Sequence, residues 1–526
     1  MDFTDRLPVT GDGPQLEPFL DRAAAWATGL TLEDVPRPVR EAAAAQLTST
    51  VGAAIWTRDH PLGAPIVEAV TSRDDGAGAT LVGGESVSPV GAARGNAALS
   101  MALDFDDTVL GGHTGHSSVF VPLAYADAAG ADGRQVLLAH VAANEVAARL
   151  ASAAAIGPFR GQQTAYVHAA AAAVARGVIE GDDAGTLVHA LGTALLQPPW
   201  PLEPPFLGAD AKVWTASEPI ATGVAALDSA RAGLTGGPGL VEAEGGFLEA
   251  FADHPLPEFL EGLGDRWHTR AVTVKSVPGC AYVTAPIEAA LQARGRLERG
   301  RTSIERVDVY GSLFTTEVDA RAAPYVDGPQ SPVSALSFSV PFNVAVALAA
   351  GEHTPNQVGE RTQDPAVWEL ADRVVVHHDS DFTAAALDAD VPVGAMLRRI
   401  GLPVVAYASS NVGPIAALRQ LPTLVRFLRK RPIPTDLASA DKRMGARVEV
   451  TTTGGRTVSA TVDHPAGFAG KPLTEIRAVA RRKCWTGLAA VGLRESEAKR
   501  RADECLGIVD RETISVPALT GLEGSP

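Results

Sequence analysis

Apolar residues recur at three- and four-residue spacing through most of the first half of the chain. This predicts helices over residues 16–30, 36–57, 91–107, 118–129, 133–156, 164–179, 183–196 and 218–232, with a Gly/Ser/Thr-rich loop at 76–89. A Pro-rich stretch at 198–205 interrupts the series. The texture changes near Trp267, where apolar and polar residues alternate: 269–277, 304–309 and 374–377 read as strands, with helices at 285–294 and 343–350 between them. Residues 447–452 and 456–462, joined at Gly454-Gly455, predict a hairpin. Helical spacing returns at 473–488 and 495–506, in a tail expected to fold back onto the first helices. The fold class that follows is mainly α with a second α+β domain.

Composition narrows this picture. At 526 residues the chain exceeds what one core usually holds, so two domains are expected. With 46% hydrophobic and 20% charged residues it is globular in composition. A formal net charge of −16 argues against nucleic acid or an anionic membrane as partner and leaves a small anionic substrate bound at a local basic pocket. Cys280, Cys484 and Cys505 form neither a metal-ligand pattern nor a disulfide framework, which suits a reducing cytoplasm. Residues 1–14 carry no apolar signal core, and no apolar run is long enough to span a bilayer.

The chemistry concentrates in Ala102-Leu103-Asp104-Phe105-Asp106-Asp107-Thr108 and Gly111-Gly112-His113-Thr114-Gly115-His116-Ser117-Ser118. A helix continuing through Thr108 would put Asp104, Asp107 and Thr108 on one face and turn Asp106 elsewhere. Gly111-Gly112 would then end that helix and Ser117-Ser118 would cap the next, leaving His113 and His116 on an interhelical loop that faces a helix N-terminus. An imidazole beside a carboxylate suits proton transfer on a carboxylate-bearing substrate, with no metal called for.

The chain also resembles the MmgE/PrpD family. The resemblance rests on Gly95-Asn96, residues 102–108, His116-Ser117-Ser118 leading to Pro122, residues 234–238, Gly245-Gly246-Phe247, Val274-Lys275, Pro278-Gly279-Cys280, residues 338–342 and residues 463–467, which follow one another in order over most of the chain. It implies a large all-helical domain built from both chain ends (1–267 and 466–526) and a smaller α+β lid domain (268–465), with the active site in the cleft, a reaction without cofactor and, commonly, a homodimer. Carried over residue by residue, the implied site is Asp104, Thr108, the histidine after the Asp-rich motif (His113 or His116, with His113 slightly favoured), Lys212 and Lys275. The two lysines would offset the desolvation of a di- or tricarboxylate.

Several positions depart from the family pattern. Gly161-Gln162-Gln163-Thr164 stands where relatives carry a second histidine, so Gln163 offers an amide in place of a proton donor and Arg160 a further anion contact. Ala281-Tyr282-Val283-Thr284 replaces an Arg-Tyr-Thr-His pattern, and Phe342, expected to contact substrate, stands where a tyrosine is often found. Residues 385–442 form a longer, helical insertion that would either reshape the cleft mouth or make a subunit contact. The reading is a lyase, dehydratase or decarboxylase in type, that abstracts a proton alpha to a carboxylate, with a loop histidine oriented by Asp104, Thr108 on a substrate oxygen, and Lys212 and Lys275 on carboxylates. An epimerase or isomerase is the alternative, and a non-catalytic anion-binding relative a third.

Overall fold

The computed structural model describes residues 17–74, 76–157, 165–297, 304–389, 393–412, 425 and 437–522. Arg160, Gln163 and residues 390–392, 413–424 and 426–436 of the insertion lie outside them. In chain order, the elements that place the site are α1 (Arg37–Arg58), α2 (Pro89–Met101), β1 (Asp107–Val109), α3 (Gly115–Ala129), α4 (Gly133–Ala153), α5 (Tyr166–Glu180), α6 (Trp214–Arg231) and β2 (Val272–Val274). They continue with α7 (Ala281–Arg296), β3 (Ile304–Gly311), α8 (Val340–Ala350), β4 (Val374–His378), α9 (Val393–Ile400), α10 (Val404–Val412), β5 (Ala446–Thr452), β6 (Thr457–Val462) and α11 (Leu473–Ala490).

The helical body is organised around α1. Pro38 in its first turn needs no intrahelical N–H partner, and every residue from Ala42 to Thr57 is buried, so neighbours enclose it on all sides. One neighbour is α11 from the far end of the chain. A Cβ on Gly52 would sit 2.9 Å from the Cys484 backbone, so only glycine permits this approach, and Trp56 Nε1 donates to the Lys483 carbonyl at 3.1 Å. Leu47, Ile55, Phe120, Leu150, Tyr166 and Leu488 share one core. The described part of the insertion joins this body: Met396, Leu397, Ile400 and Val404 pack into the same core, Arg399 Nε donates to Glu258 Oε1 at 2.6 Å, and Tyr407 Oη donates to the Gly157 carbonyl at 2.9 Å.

The second region holds a four-stranded sheet in the order β4-β3-β5-β6. β3 and β4 are parallel, whereas β3–β5 and β5–β6 are antiparallel with Val309 opposite Val448 and Val448 opposite Ala460. Burial alternates along β5, so Ala446, Val448 and Val450 face the core beneath α7 and α8 while the residues between them face outward. Gly455, at φ 78°, makes the hairpin turn expected from the sequence. The strand expected at 269–277 is shorter and belongs elsewhere: β2 pairs with β1 in a two-stranded ribbon and not with the main sheet.

Candidate active site

The Asp-rich segment is not helical. α2 ends at Met101, the backbone turns left-handed at Asp104 (φ 49°), and the chain runs extended through β1 before Leu110 (φ 52°) reverses it. Extended backbone alternates its side chains, so Asp106 and Thr108 share a side and Asp107 faces away. This corrects the grouping expected from a continuous helix. Asp107 enters the helical body, where Gln46 Nε2 donates at 2.5 Å and Thr50 Oγ1 at 3.0 Å; burial, with Asp106 nearby, pushes its carboxyl pKa up. A left-handed non-glycine residue costs roughly 1–3 kcal/mol, a strain that persists only where surrounding contacts fix it. At Asp104 those contacts are two ammonium groups.

A buried network in α4 positions β2 beside this segment. Glu145, ion-paired with Arg149, accepts from the backbone N–H of His268 at 2.9 Å, and from the N–H and hydroxyl of Thr269 at 2.8 and 2.6 Å. Asp107 sits opposite Val274, which brings the next residue, Lys275, against Asp106. Lys275 Nζ donates to Asp106 Oδ1 at 2.5 Å and to the Asp104 carbonyl at 2.7 Å, and lies 3.6 Å from Asp104 Oδ1. Lys212 Nζ donates to Asp104 Oδ2 at 2.6 Å and sits 4.4 Å from the centre of the Phe338 ring. Burial alone would raise both carboxyl pKa values, but the ammonium groups outweigh it: Asp104 is lowered and Asp106 is held well below the usual carboxylate range. Burial likewise opposes the charge on Lys275, and Asp106 and Asp104 reverse that, so its pKa rises.

The two histidines occupy different places. His113 lies on the loop, and its Nδ1 bonds Asp106 Oδ2, so Asp106 and not Asp104 orients it. His116 is in the first turn of α3, almost fully buried, with Nδ1 bonded to Ser100 Oγ at 2.7 Å and Nε2 3.2 Å from Asp106 Oδ2. Ser117 and Ser118 lie within that helix and do not cap it; the cap position is Thr114, whose side chain makes no capping bond. Ser117 Oγ instead bonds His168 Nδ1 at 2.7 Å.

A cavity of about 230 Å³ opens beside His113. Thr108, His113, Cys280, Tyr282 and Lys442 are among the polar residues that line it, and Met396, Leu397 and Tyr407 of the insertion form part of its wall. Lys442 Nζ donates to Thr108 Oγ1 at 2.7 Å and, among the described residues, has no carboxylate partner. Burial, reinforced by Lys275, lowers its pKa to about 8. Lys483, buried nearby, donates to Ser49 Oγ at 2.8 Å and to the Phe105 carbonyl at 2.6 Å; burial lowers its pKa to about 7. Burial also raises the Cys280 thiol to about 11, so it is protonated at neutral pH. Lys212 also lines a second cavity, of about 470 Å³, together with Trp200, Phe206, Trp214 and Glu218. Phe342 is placed apart from the expected substrate contact: it is fully buried, its ring 5.2 Å from that of Trp368, in an apolar cluster with Leu336 and Val346.

The family model for the MmgE/PrpD N-terminal domain matches residues 21–260, and that for the C-terminal domain matches residues 277–399. The chain belongs to the MmgE/PrpD family. Two relatives from Aspergillus terreus, both named cis-aconitate decarboxylase, are similar to it. One is 24% identical over 389 residues and the other, from strain NIH 2624 / FGSC A1156, 26% over 392; each alignment covers 68% of this chain and 78% of the relative. The C-terminal family match stops at residue 399, so Tyr407 and Lys442 lie beyond it.

Within this MmgE/PrpD site, one atom each from Asp106, His113 and His116 lies within 4.8 Å of the others, a spacing that could hold a divalent cation. The Lys275 ammonium, 2.5 Å from the same carboxylate, and the Ser100 bond to His116 Nδ1 both compete with such an ion. The arrangement is better matched to holding and moving a proton. Sequence reasoning missed the roles of Asp106 and Lys442. The alternation that shows Asp106 and Thr108 on one side was available in the pattern Asp106-Asp107-Thr108-Val109 once read as strand, whereas nothing local to Lys442 links it to Thr108, more than three hundred residues earlier.

Proposed function

We propose that the protein is a lyase, of decarboxylase or dehydratase type, that moves a proton alpha to a carboxylate of a small organic acid by acid–base chemistry of its own side chains. The observation that carries this reading is His113, bonded through Nδ1 to a firmly ionised Asp106 and lining the same cavity as Lys442 and Thr108. With Nδ1 committed to Asp106, Nε2 is the nitrogen that exchanges protons with substrate. In the dehydratase form Nε2 takes the α-proton, and the electron pair left behind expels the β-hydroxyl, which leaves as water with the proton that Nε2 returns; in the decarboxylase form the pair comes from the bond to the departing carbon dioxide and takes a proton from Nε2, which solvent replaces. In both, an ammonium and a hydroxyl favour the developing charge. Lys442 and Thr108 fill that role here, while Lys212 and Lys275, matched by Asp104 and Asp106, hold the catalytic carboxylate in place. The names of the Aspergillus relatives support a carboxylate substrate and the decarboxylase form of the reaction.

The test is incubation of the full chain with a panel of mono-, di- and tricarboxylates, cis-aconitate included, in heavy water, read by mass spectrometry. Loss of carbon dioxide with one deuterium taken up at the carbon that carried it, or loss of water with the α-hydrogen released to solvent, either one lost in His113→Ala, supports the lyase. Binding without turnover or deuterium uptake overturns it in favour of an anion-binding relative. Deuterium uptake without mass loss favours epimerisation, a reading supported by His113 being the one histidine among the described residues that lines this cavity.

A further inference from the structure

Resting on that reading, we propose that the substrate carries one free carboxylate, received by Lys442, and an apolar arm that lies against the insertion. Charge matching is the first argument. Of the lysines around the Asp-rich segment, Lys212 and Lys275 already face carboxylates of the chain at 2.6 and 2.5 Å, whereas Lys442, among the described residues, bonds the neutral Thr108 hydroxyl and no carboxylate. Among the described residues lining the cavity, Lys442 is the sole ammonium, and there is no arginine.

The wall is the second argument. Leu110, Ile156, Phe314, Met396, Leu397 and Met444 surround the polar group. Against the described wall a tricarboxylate would bring three negative charges to one ammonium and leave two desolvated beside apolar side chains, which is unfavourable. A single carboxylate with an alkyl or alkenyl arm satisfies Lys442 and buries apolar surface against apolar surface. Met396 and Leu397 come from α9, which Arg399 pins to Glu258, and Tyr407 from α10, which its bond to Gly157 pins to the helical body. The wall is thus part of the packed core and not a loose flap.

The test is equilibrium binding to the full chain at pH 7, by calorimetry, of butanoate, hexanoate, hexanamide and tricarballylate. Hexanoate should bind at least about tenfold more tightly than hexanamide or tricarballylate, and each methylene between butanoate and hexanoate should add about fourfold. K442M should lose the preference for hexanoate over hexanamide, and L397Q should flatten the chain-length dependence. K442Q, which keeps a donor for Thr108, and circular dichroism of each variant separate binding from folding. Tightest binding by tricarballylate, still sensitive to K442M, would overturn the single-carboxylate proposal and leave the site reading standing. Carboxylate binding unaffected by K442M, K442Q and His113→Ala would overturn both, because the ligand would then lie elsewhere.

Discussion

Lys275 and Lys442 are both buried ammonium groups around the same Asp-rich segment, yet they do opposite things. Lys275 sits on Asp106 and Asp104, its charge stabilised by theirs and theirs by it, and it fixes a strained turn and a two-stranded ribbon. Lys442 sits on a hydroxyl at the cavity wall, and burial favours its neutral form. A matched charge holds the fold, whereas an unmatched one is available to a ligand. A buried ammonium without a counter-ion lowers stability until an anion arrives, which is the signature of a binding group.

Perturbing the site sharpens that contrast. The largest effect should come from His113→Ala, which spans both regions: kcat/KM should fall by about 10²–10⁴-fold, the usual share of general acid–base catalysis, with little change in melting temperature. Next, Lys275→Met leaves Asp106 buried without its counter-charge and should cost about 3–5 kcal/mol in urea unfolding, whereas Lys442→Met should cost nothing or stabilise the fold while weakening carboxylate binding. A loss of stability in Lys442→Met equal to that in Lys275→Met would erase the distinction.

Smaller effects follow from pH. The folded pKa values of Lys442 and Lys483, about 8 and about 7, lie below the ordinary 10.5, so in that interval the unfolded chain binds protons that the folded chain has released. Their contribution to stability should therefore rise as pH increases from about 7 to 10.5, while carboxylate affinity falls as pH passes about 8. Urea midpoints and KM measured across that range should both rise with pH, and Lys442→Met should remove its share of both. The smallest effect belongs to Cys280→Ser: a thiol raised to about 11 is no nucleophile at pH 7, so kcat/KM should be nearly unchanged.

The fold was largely legible because the helices of the first half and the β5–β6 hairpin carry their periodicity locally. Legibility failed where partners distant in sequence override local propensity. An Ala-rich helix running into Leu-Asp-Phe-Asp-Asp-Thr gives no stop signal, yet it ends at Met101 because Asp104 and Asp106 must meet a lysine more than 160 residues away and β1 must pair with β2. Asp104, Lys212 and Lys275 do meet at one point, as the sequence suggested, but Lys212 and Lys275 contact carboxylates of the chain itself. The role of Phe342 could not be read from a motif because its burial depends on Trp368 and Leu336, which no local spacing reveals. The insertion's helical pattern was visible, but whether it faced solvent or the cavity depended on Arg399 reaching Glu258 and Tyr407 reaching Gly157.

Nuclear magnetic resonance titration of the full chain carrying 13C-labelled lysine side chains reads the Lys442 ammonium directly. One resonance, absent from Lys442→Met, should titrate near pH 8 and move to higher pH when hexanoate is added. A Lys442 resonance that titrates at the ordinary 10.5, or that ignores added carboxylate, would contradict the assignment of this group as the cation left for substrate.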